Sequence, residues 1–304
     1  MNEMLRLYDK IYHRIGRAIY YRYPKLRDWM PDKMYLQQYY ALRMGYYMDF
    51  NNPQTFNEKL QWLKLYDRKA IYTTMADKIE AKKWVVDKIG EQHIIPTLAV
   101  YDTFDEIDFD KLPQQFVMKC SHDSGSVVIC KDKSTFDYPN ARKVIETGLN
   151  RSWFLLGREW AYKNVKPRII IEQFMCDRSS KELTDYKFYC FNGVPKFLYV
   201  SYGLSDHSIA CINYMTLDGQ KAPFHRPDFE EYEKTPPPPL KFDVMLKYSK
   251  VLSEGVPFLR TDFYEINNEV YFSELTFYPG CGMTPFEPRK WDIEIGKWIT
   301  LPKR

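Results

Sequence analysis

The segment Leu259–Gly280 constrains this chain more than any other stretch. Its two halves are rich in aromatic and β-branched residues and meet at Asn267-Asn268, the pattern of a β-hairpin. Register decides what the hairpin means. A two-residue loop sets Ile266 opposite Glu269 and puts Asp262 and Glu274 on opposite faces. A three-residue loop, Asn267-Asn268-Glu269, pairs Ile266 with Val270, Tyr264 with Phe272 and Asp262 with Glu274. The second arrangement matches apolar with apolar, which fixes pairing where one face is buried, and it is the register expected here. It leaves two carboxylates opposed at the open end of an apolar face. Like charges opposed across a ladder destabilise it. A hard cation between them reverses the sign, and Mg²⁺ accepts one or two carboxylates together with phosphate oxygens. The alternative is a pair of solvated acids on a surface hairpin.

At 304 residues the chain is long enough for two lobes, each with a core. A net charge of +4 is too mild to imply nucleic acid. The six cysteines form no C-x-x-C pair and the five histidines no H-E-x-x-H, which argues against structural zinc and for reduced thiols in the cytoplasm. No apolar stretch is long enough for a bilayer span, and the start of the chain lacks the apolar core of a signal peptide. Aromatic residues make up 17% of the chain, 25 of them tyrosines, a composition suited to clefts and interfaces.

Residues 1–50 carry nine Lys/Arg against five Asp/Glu, which accounts for the whole chain's excess of positive charge. Leu5, Tyr8, Ile11, Tyr12, Ile15 and Ile19 fall at helical spacing, with Arg6, Lys10, Arg14 and Arg17 as a separate basic stripe. Such a helix either docks on its own domain or lies on an anionic membrane surface, and on either reading residues 1–50 are expected to be dispensable for chemistry. A helix over 56–66 is expected behind the capping box Thr55–Glu58, and another after Asp77 ending at Gly90. Strands are expected at 97–101, 115–120, 126–131, 168–174, 186–192 and 196–202, with Asn192-Gly193 as a tight turn. A helical stretch is expected over about 140–163, a stiff connector at Pro236–Pro239, and a helix over 242–253 stopped by Gly255. Strands in runs with a few helices between them give an α+β fold, not a doubly wound parallel sheet.

Chemistry-bearing residues recur along this frame. Lys119 ends a strand before a loop of small residues, Ser121, Ser124, Gly125 and Ser126, where backbone N–H groups can converge on phosphate oxygens. The loop lacks the G-x-x-x-x-G-K-[ST] pattern, and a strand follows it rather than a helix. Glu172 closes the apolar run Ile169-Ile-Ile, and a carboxylate there must find a partner or reach a cleft. Asp185 and Lys187 share one strand face.

In this order the features resemble the ATP-grasp superfamily: Asp77-Lys78 opening a helix, Lys119 before a Ser/Gly loop, Glu172 in an I-E-Q-F strand, Asp185-x-Lys187, Arg260-x-Asp262 and Glu274-x-Thr276. The wording Phe116-Val-Met-Lys119 and Ser273-Glu-Leu-Thr-Phe277 resembles the TupA-like branch, associated with capsular and cell-surface polysaccharide assembly. The resemblance implies a two-lobed ATP-grasp fold with an N-terminal helical region: residues 1–76 helical, 77–170 the first lobe and 171–304 the second. It implies ATP as substrate, with Lys78 and Lys119 on the α- and β-phosphates and Ser124 and Gly125 in the lid. Glu172, with the backbone of Gln173 and Met175, would hold adenine, and Asp185 would lie near the ribose. Lys187 would approach the γ-phosphate, Arg260 would balance an acyl phosphate, and Asp262 and Glu274 would hold Mg²⁺. Thr276 stands where the family has a metal-binding asparagine. Pro279–Pro285 resembles the turn that cradles the acyl group in D-alanine:D-alanine ligases, which gives Gly280 an oxyanion role.

The activity implied is a carboxylate–amine ligase joining an amino acid to an acidic sugar or glutamyl acceptor. A kinase of a sugar or hydroxyl group would use the same ATP site. A metal-dependent glycosyltransferase would instead rest on Asp108-Phe-Asp110.

Overall fold

The computed structural model describes residues 3–178, 183–202, 211–232 and 237–303, with side chains from residue 11 onward except Pro24. Helices α1 (Glu3–Arg22), α2 (Pro24–Arg27), α3 (Asp32–Met44), α4 (Phe56–Tyr66), α5 (Ile71–Ala76) and α6 (Glu80–Ile89) come first. The first lobe adds β1 (Thr97–Tyr101), β2 (Phe116–Cys120), β3 (Val127–Cys130), α7 (Tyr138–Leu149), α8 (Trp153–Gly157) and β4 (Ile169–Gln173). The second lobe holds β5 (Asp185–Phe191), β6 (Val194–Tyr202), β7 (Cys211–Thr216), α9 (Phe242–Ser253), β8 (Phe258–Ile266), β9 (Glu269–Thr276) and α10 (Lys290–Lys297).

Two antiparallel sheets make an α+β architecture, in the orders β1-β4-β2-β3 and β7-β6-β5-β8-β9. All of β4 hydrogen-bonds within the first sheet, so that strand runs across the lobe boundary expected at 170/171. α4 begins where its capping box predicts: Thr55 Oγ1 accepts from the Glu58 N–H at 3.1 Å and Glu58 Oε2 from the Thr55 N–H at 3.0 Å. Asn192 and Gly193 both take positive φ, as a tight turn between β5 and β6 requires. The helix expected over 140–163 is broken instead. Ser152 caps a new start, its Oγ accepting from the Leu155 N–H at 3.4 Å, and Arg158 leaves α8 in a left-handed conformation. The start of the tetraproline connector, like residues 179–182 and 203–210, lies outside the described residues.

Most of the buried apolar residues among those described fall into two clusters. One lies within the first lobe, around Phe116, Met118, Ile145, Ile169 and Ile171. The larger joins the second sheet to the N-terminal helices. Phe56 of α4 packs edge-on to Phe258 at 4.9 Å and to Phe286 at 5.8 Å. A Cβ on Gly296 of α10 would come within 2.4 Å of the Gln54 carbonyl and 2.7 Å of the Phe56 nitrogen, so only glycine permits this approach. The helical region is therefore part of the second lobe's core rather than an appendage.

α1 does not bury the stripe its sequence suggests. Gly16 and Tyr20 are buried, with Gly16 against Met34 and Gln38 of α3, whereas Ile11 and Ile15 are about half exposed. The glycine allows the close crossing, and the crossing selects the face. Arg14 and Arg17 are exposed; the side chains of Arg6 and Lys10 lie outside the described residues.

Candidate active site

The acidic hairpin reaches the expected end by another route. Asn267 and Asn268, at φ 52° and 68°, form a two-residue turn, and Ile266 pairs with Glu269, not Val270. Phe263 pairs with Phe272 and Tyr264 with Tyr271, so the three-residue loop is not formed. Two adjacent asparagines tolerate the left-handed backbone that a tight hairpin turn demands. The register then shifts by one at Ser273, a bulge, and Asp262 comes opposite Glu274 after all.

Neither acid stands alone. Asp262 is fully buried, with Lys187 Nζ at 2.6 Å and Arg260 donating from Nη2 at 2.6 Å and Nε at 2.8 Å. Arg260 also reaches Glu274 at 2.9 Å and Thr276 Oγ1 at 3.0 Å. Lys187 is in direct contact with Asp185, its neighbour on the same strand face. Burial raises the Glu274 pKa, but Lys187, Arg260 and Lys78 outweigh it and hold the carboxyl at about 2. Asp185 moves the other way: burial, with Asp262 and Glu274 nearby, outweighs Lys187 and raises it to about 6. One Asp185 oxygen is buried without a hydrogen-bond partner. Asp185 thus belongs with the acid cluster.

This donor set can be tested against Mg²⁺. Among the described residues no three acidic, histidine or cysteine side chains converge as a closed metal cage. Two carboxylates facing across a ladder, with Asp185 behind them, fit an octahedral ion that takes its remaining ligands from phosphate oxygens and water. Glu274, partly exposed, fits that role as it stands; Asp262 would fit it once Lys187 and Arg260 turn from its oxygens, and Thr276 offers only a hydroxyl beside them.

The first lobe presents its own cations. Lys119, at the end of β2, pairs with Glu172 of β4 at 2.6 Å, and Lys82 contacts the other Glu172 oxygen. Burial would raise the Glu172 pKa; the two lysines hold it at about 2. Nothing in the sequence singles out Lys82, which lies in the first turn of α6, four residues after Lys78. Gln173 gives its N–H to the Pro96 carbonyl at 3.0 Å, and Met175 is half-buried in the irregular stretch that follows. Lys78 caps the Asp123 carbonyl, and burial lowers its pKa. The loop it touches is anchored at its base. Ser121 Oγ donates to the Lys166 carbonyl at 3.1 Å, and Ser126 contacts Asp123. Ser124 and Gly125 are left at an exposed tip. Gly125 has φ 97° and open space around it, so the backbone there, and not packing, requires glycine.

The turn Pro279–Gly282 is the least regular part of the site. Gly280, Cys281 and Gly282 have φ 57°, 58° and 62°, three left-handed residues in a row. α4 holds this turn from below. The fully buried Lys64 Nζ donates to the carbonyls of Cys281 at 2.8 Å and Gly157 at 2.9 Å, and Gln61 donates to the Gly282 carbonyl at 2.7 Å. Asn57 bonds Thr284 just beyond the turn, at 2.7 and 2.9 Å. Amphipathic spacing marks these three only as helix positions; nothing local in the sequence marks them as supports.

A cavity of about 780 Å³ opens beside Arg260, Glu274 and this turn. Its far wall is made by α1–α3 and by residues 151–162. Arg158 ties the two together, donating to the carbonyls of Arg27 at 3.1 Å and Asp28 at 3.0 Å and lying over the Tyr35 ring at 4.4 Å. Asp108 and Asp110 are elsewhere, in a short helical turn where Asp108 caps the Asp110 N–H at 3.2 Å and pairs with Lys111 at 2.9 Å.

The chain resembles several solved ligases in shape. These include D-alanine–D-alanine ligase from Helicobacter pylori (15% identity, 82% of this chain, 70% of that chain, TM-score 0.41). The Bacillus anthracis D-alanine–D-alanine ligase complexed with ATP is another (15% identity, 79% of this chain, 62% of that chain, TM-score 0.37). A third is the ATP-grasp ligase PsnB with a phosphomimetic precursor variant, Mg and ADP (7% identity, 73% of this chain, 57% of that chain, TM-score 0.39). No curated protein matches the sequence at a significant level. The family described as TupA-like ATPgrasp matches residues 58–300, from α4 through α10 and so across both sheets; the chain belongs to the TupA-like ATP-grasp family.

Proposed function

We propose that this protein is an ATP- and Mg²⁺-dependent carboxylate–amine ligase acting in the assembly of cell-surface polysaccharide. One observation carries the reading. Cations from both lobes converge on one acid: Glu274 lies in the field of Lys187 and Arg260 from the second sheet and of Lys78 from the first lobe. Such a set suits a polyphosphate held between lobes, where catalysis is mainly positioning and charge neutralisation.

ATP would enter with its phosphates at Lys78, Lys119 and the Ser124-Gly125 tip, and adenine at the end of β4 by Glu172, Gln173 and Met175. A substrate carboxylate oxygen attacks the γ-phosphorus, the bond to ADP breaks, and an acyl phosphate forms. Arg260 and Lys187, now shared between Asp262 and the transferring group, offset the new charge. An amine then attacks the acyl carbon, and phosphate leaves with the bonding pair. Gly280 and its left-handed neighbours stand on the cavity wall beside this point, where backbone N–H groups can face the carbonyl oxygen. Mg²⁺ bound at Asp262 and Glu274 would neutralise β- and γ-oxygens.

The test is ADP release across a panel of amino acids, uronic acids and glutamyl compounds, with products weighed by mass spectrometry. ADP release that needs both an acid and an amine, with a product lighter by one water than their sum, is expected. A hydroxyl compound gaining one phosphoryl group would replace this reading with the kinase.

Location at an anionic membrane is part of the proposal. Ile11 and Ile15 are about half exposed beside exposed Arg14 and Arg17, and Trp29 is 86% exposed. Each basic residue near such a surface contributes about 1 kcal/mol. Arg14→Glu with Arg17→Glu should move the protein off anionic vesicles in sedimentation while turnover in solution persists; unchanged sedimentation would remove the membrane from the proposal.

A further inference from the structure

The ligase reading needs a place for the amine, and the cavity contains a carboxylate the ATP chemistry does not use. Glu159 lies on the cavity wall and is only 6% exposed. Among the described residues no lysine, arginine or histidine comes within ion-pairing distance of it. Its neighbours are weak donors, the Cys281 thiol and the Trp153 ring N–H. Lys64 is the cation it feels, but Lys64 spends its hydrogens on the Gly157 and Cys281 carbonyls and on Gln61 Oε1 at 3.0 Å. A carboxylate buried without a cation is costly unless a ligand completes it. A Cβ on Gly157 would meet Cys281 Sγ at 2.2 Å and Glu159 Oε1 at 3.1 Å, so Glu159 sits directly beside the left-handed turn.

The same cavity has the opposite imbalance elsewhere in its lining. Arg43 of α3 and Arg151 after α7 both line it, and among the described residues neither has a carboxylate partner. Among the described lining residues Glu159 is the buried acid without a cation, Arg27, Arg43 and Arg151 are guanidiniums without an ion-paired carboxylate, and Asp28 is an exposed acid, so the cavity wall can meet a ligand bearing both charges.

We propose that this cavity binds the amine co-substrate as an amino acid, its ammonium group at Glu159 and its carboxylate toward Arg43 and Arg151. The proposal rests on the ligase reading. In the step it serves, one ammonium proton passes to the Glu159 carboxylate and frees the nitrogen lone pair. That pair forms the C–N bond to the acyl carbon, the C–O bond to phosphate breaks with its electrons going to phosphate, and phosphate carries off the second nitrogen proton. Burial raises the Glu159 pKa, which suits a group that must take up a proton.

Two assays separate this idea from the reading it rests on. The first uses hydroxylamine, a small amine with no carboxylate, to trap the acyl phosphate as a hydroxamate. The second follows phosphate release with a set of free amino acids and their amides. Wild-type protein should form hydroxamate with ATP and an acid. Glu159→Gln should keep hydroxamate formation at saturating hydroxylamine and the KM for ATP. It should raise the KM for the amino acid at least about tenfold and lose the acidic limb of the pH profile of kcat/KM. Arg43→Ala and Arg151→Ala should weaken the free amino acid more than its amide. Glu159→Asp should recover part of the loss if the carboxylate itself matters. No hydroxamate from wild-type protein overturns the ligase reading. Hydroxamate without any response to amino acids, an unchanged amino-acid KM in Glu159→Gln, or loss of hydroxamate together with amide formation overturns this proposal alone.

Discussion

Asp262 has no exposed surface and is bonded by two cations, so the repulsion expected from Glu274 opposite is already answered within the protein. The sequence suggests that neutralising either acid should leave stability unchanged or raise it. The structure separates the two. Asp262→Asn would leave Lys187 only Asp185 and Arg260 only Glu274 as acid partners in the interior, and should cost up to about 3 kcal/mol, the lower end of what removing one partner of a buried pair costs. Glu274 has one bond to Arg260 and keeps 37% of its side chain exposed, so Glu274→Gln should cost about 1 kcal/mol or less. Both should abolish ATP turnover, and thermal melts beside ADP assays would show the difference. Glu172 gives a pH signature. Its folded pKa, about 2, lies below the usual 4.5, so its stabilisation is present above the higher value and is lost as pH falls toward the lower. The gap in melting temperature between wild-type protein and Glu172→Gln should be widest above pH 5 and shrink steadily below about 4.5. A gap that stays constant to pH 2.5 would mean that Glu172 does not gain from its two lysines.

At the scale of elements, the β8–β9 hairpin holds the site through its bulge. Because side chains alternate, the extra residue at Ser273 is what returns Glu274 to the face of Asp262. Deleting Ser273 removes the bulge and leaves Glu274 directly after Phe272, still opposite Asp262 in an unbroken ladder, so the folded hairpin by circular dichroism and ATP turnover should both survive. Ser273→Ala should be nearly silent. This also marks where the sequence was readable. Local signals placed α4, α9, the Asn192-Gly193 turn and the pairing of Asp262 with Glu274, because caps, turns and apolar alternation act over a few residues. The bulge was hidden because two registers each satisfied part of the pattern. The break between α7 and α8 was hidden because apolar periodicity continues across it. Glu159, Lys64 and Lys82 were hidden for a different reason: their partners come from distant parts of the chain, and only the fold brings them near.

The described residues form two cores, and the N-terminal helices share the larger one. Leu36, Tyr40 and Phe50 are buried there at 0–1% exposure. A chain lacking residues 1–50 should therefore melt earlier and lose amino-acid response, whereas the Arg14→Glu, Arg17→Glu protein should keep both; calorimetry and the phosphate assay would tell them apart. The expectation that this region is dispensable holds at most for its exposed charges. The support of the Pro279–Gly282 turn by α4 also bears on the order in which the protein can come to life. Gln61 and Asn57 meet their partners across 221 and 227 residues of chain. During synthesis α4 leaves the ribosome early and waits through the making of both sheets before Cys281 arrives. Contacts of such long range are slow to close. A ribosome that stalls before that point leaves a chain able to build its first sheet, with Lys119 and Glu172 paired across it and Gln61 and Asn57 still without their distant partners.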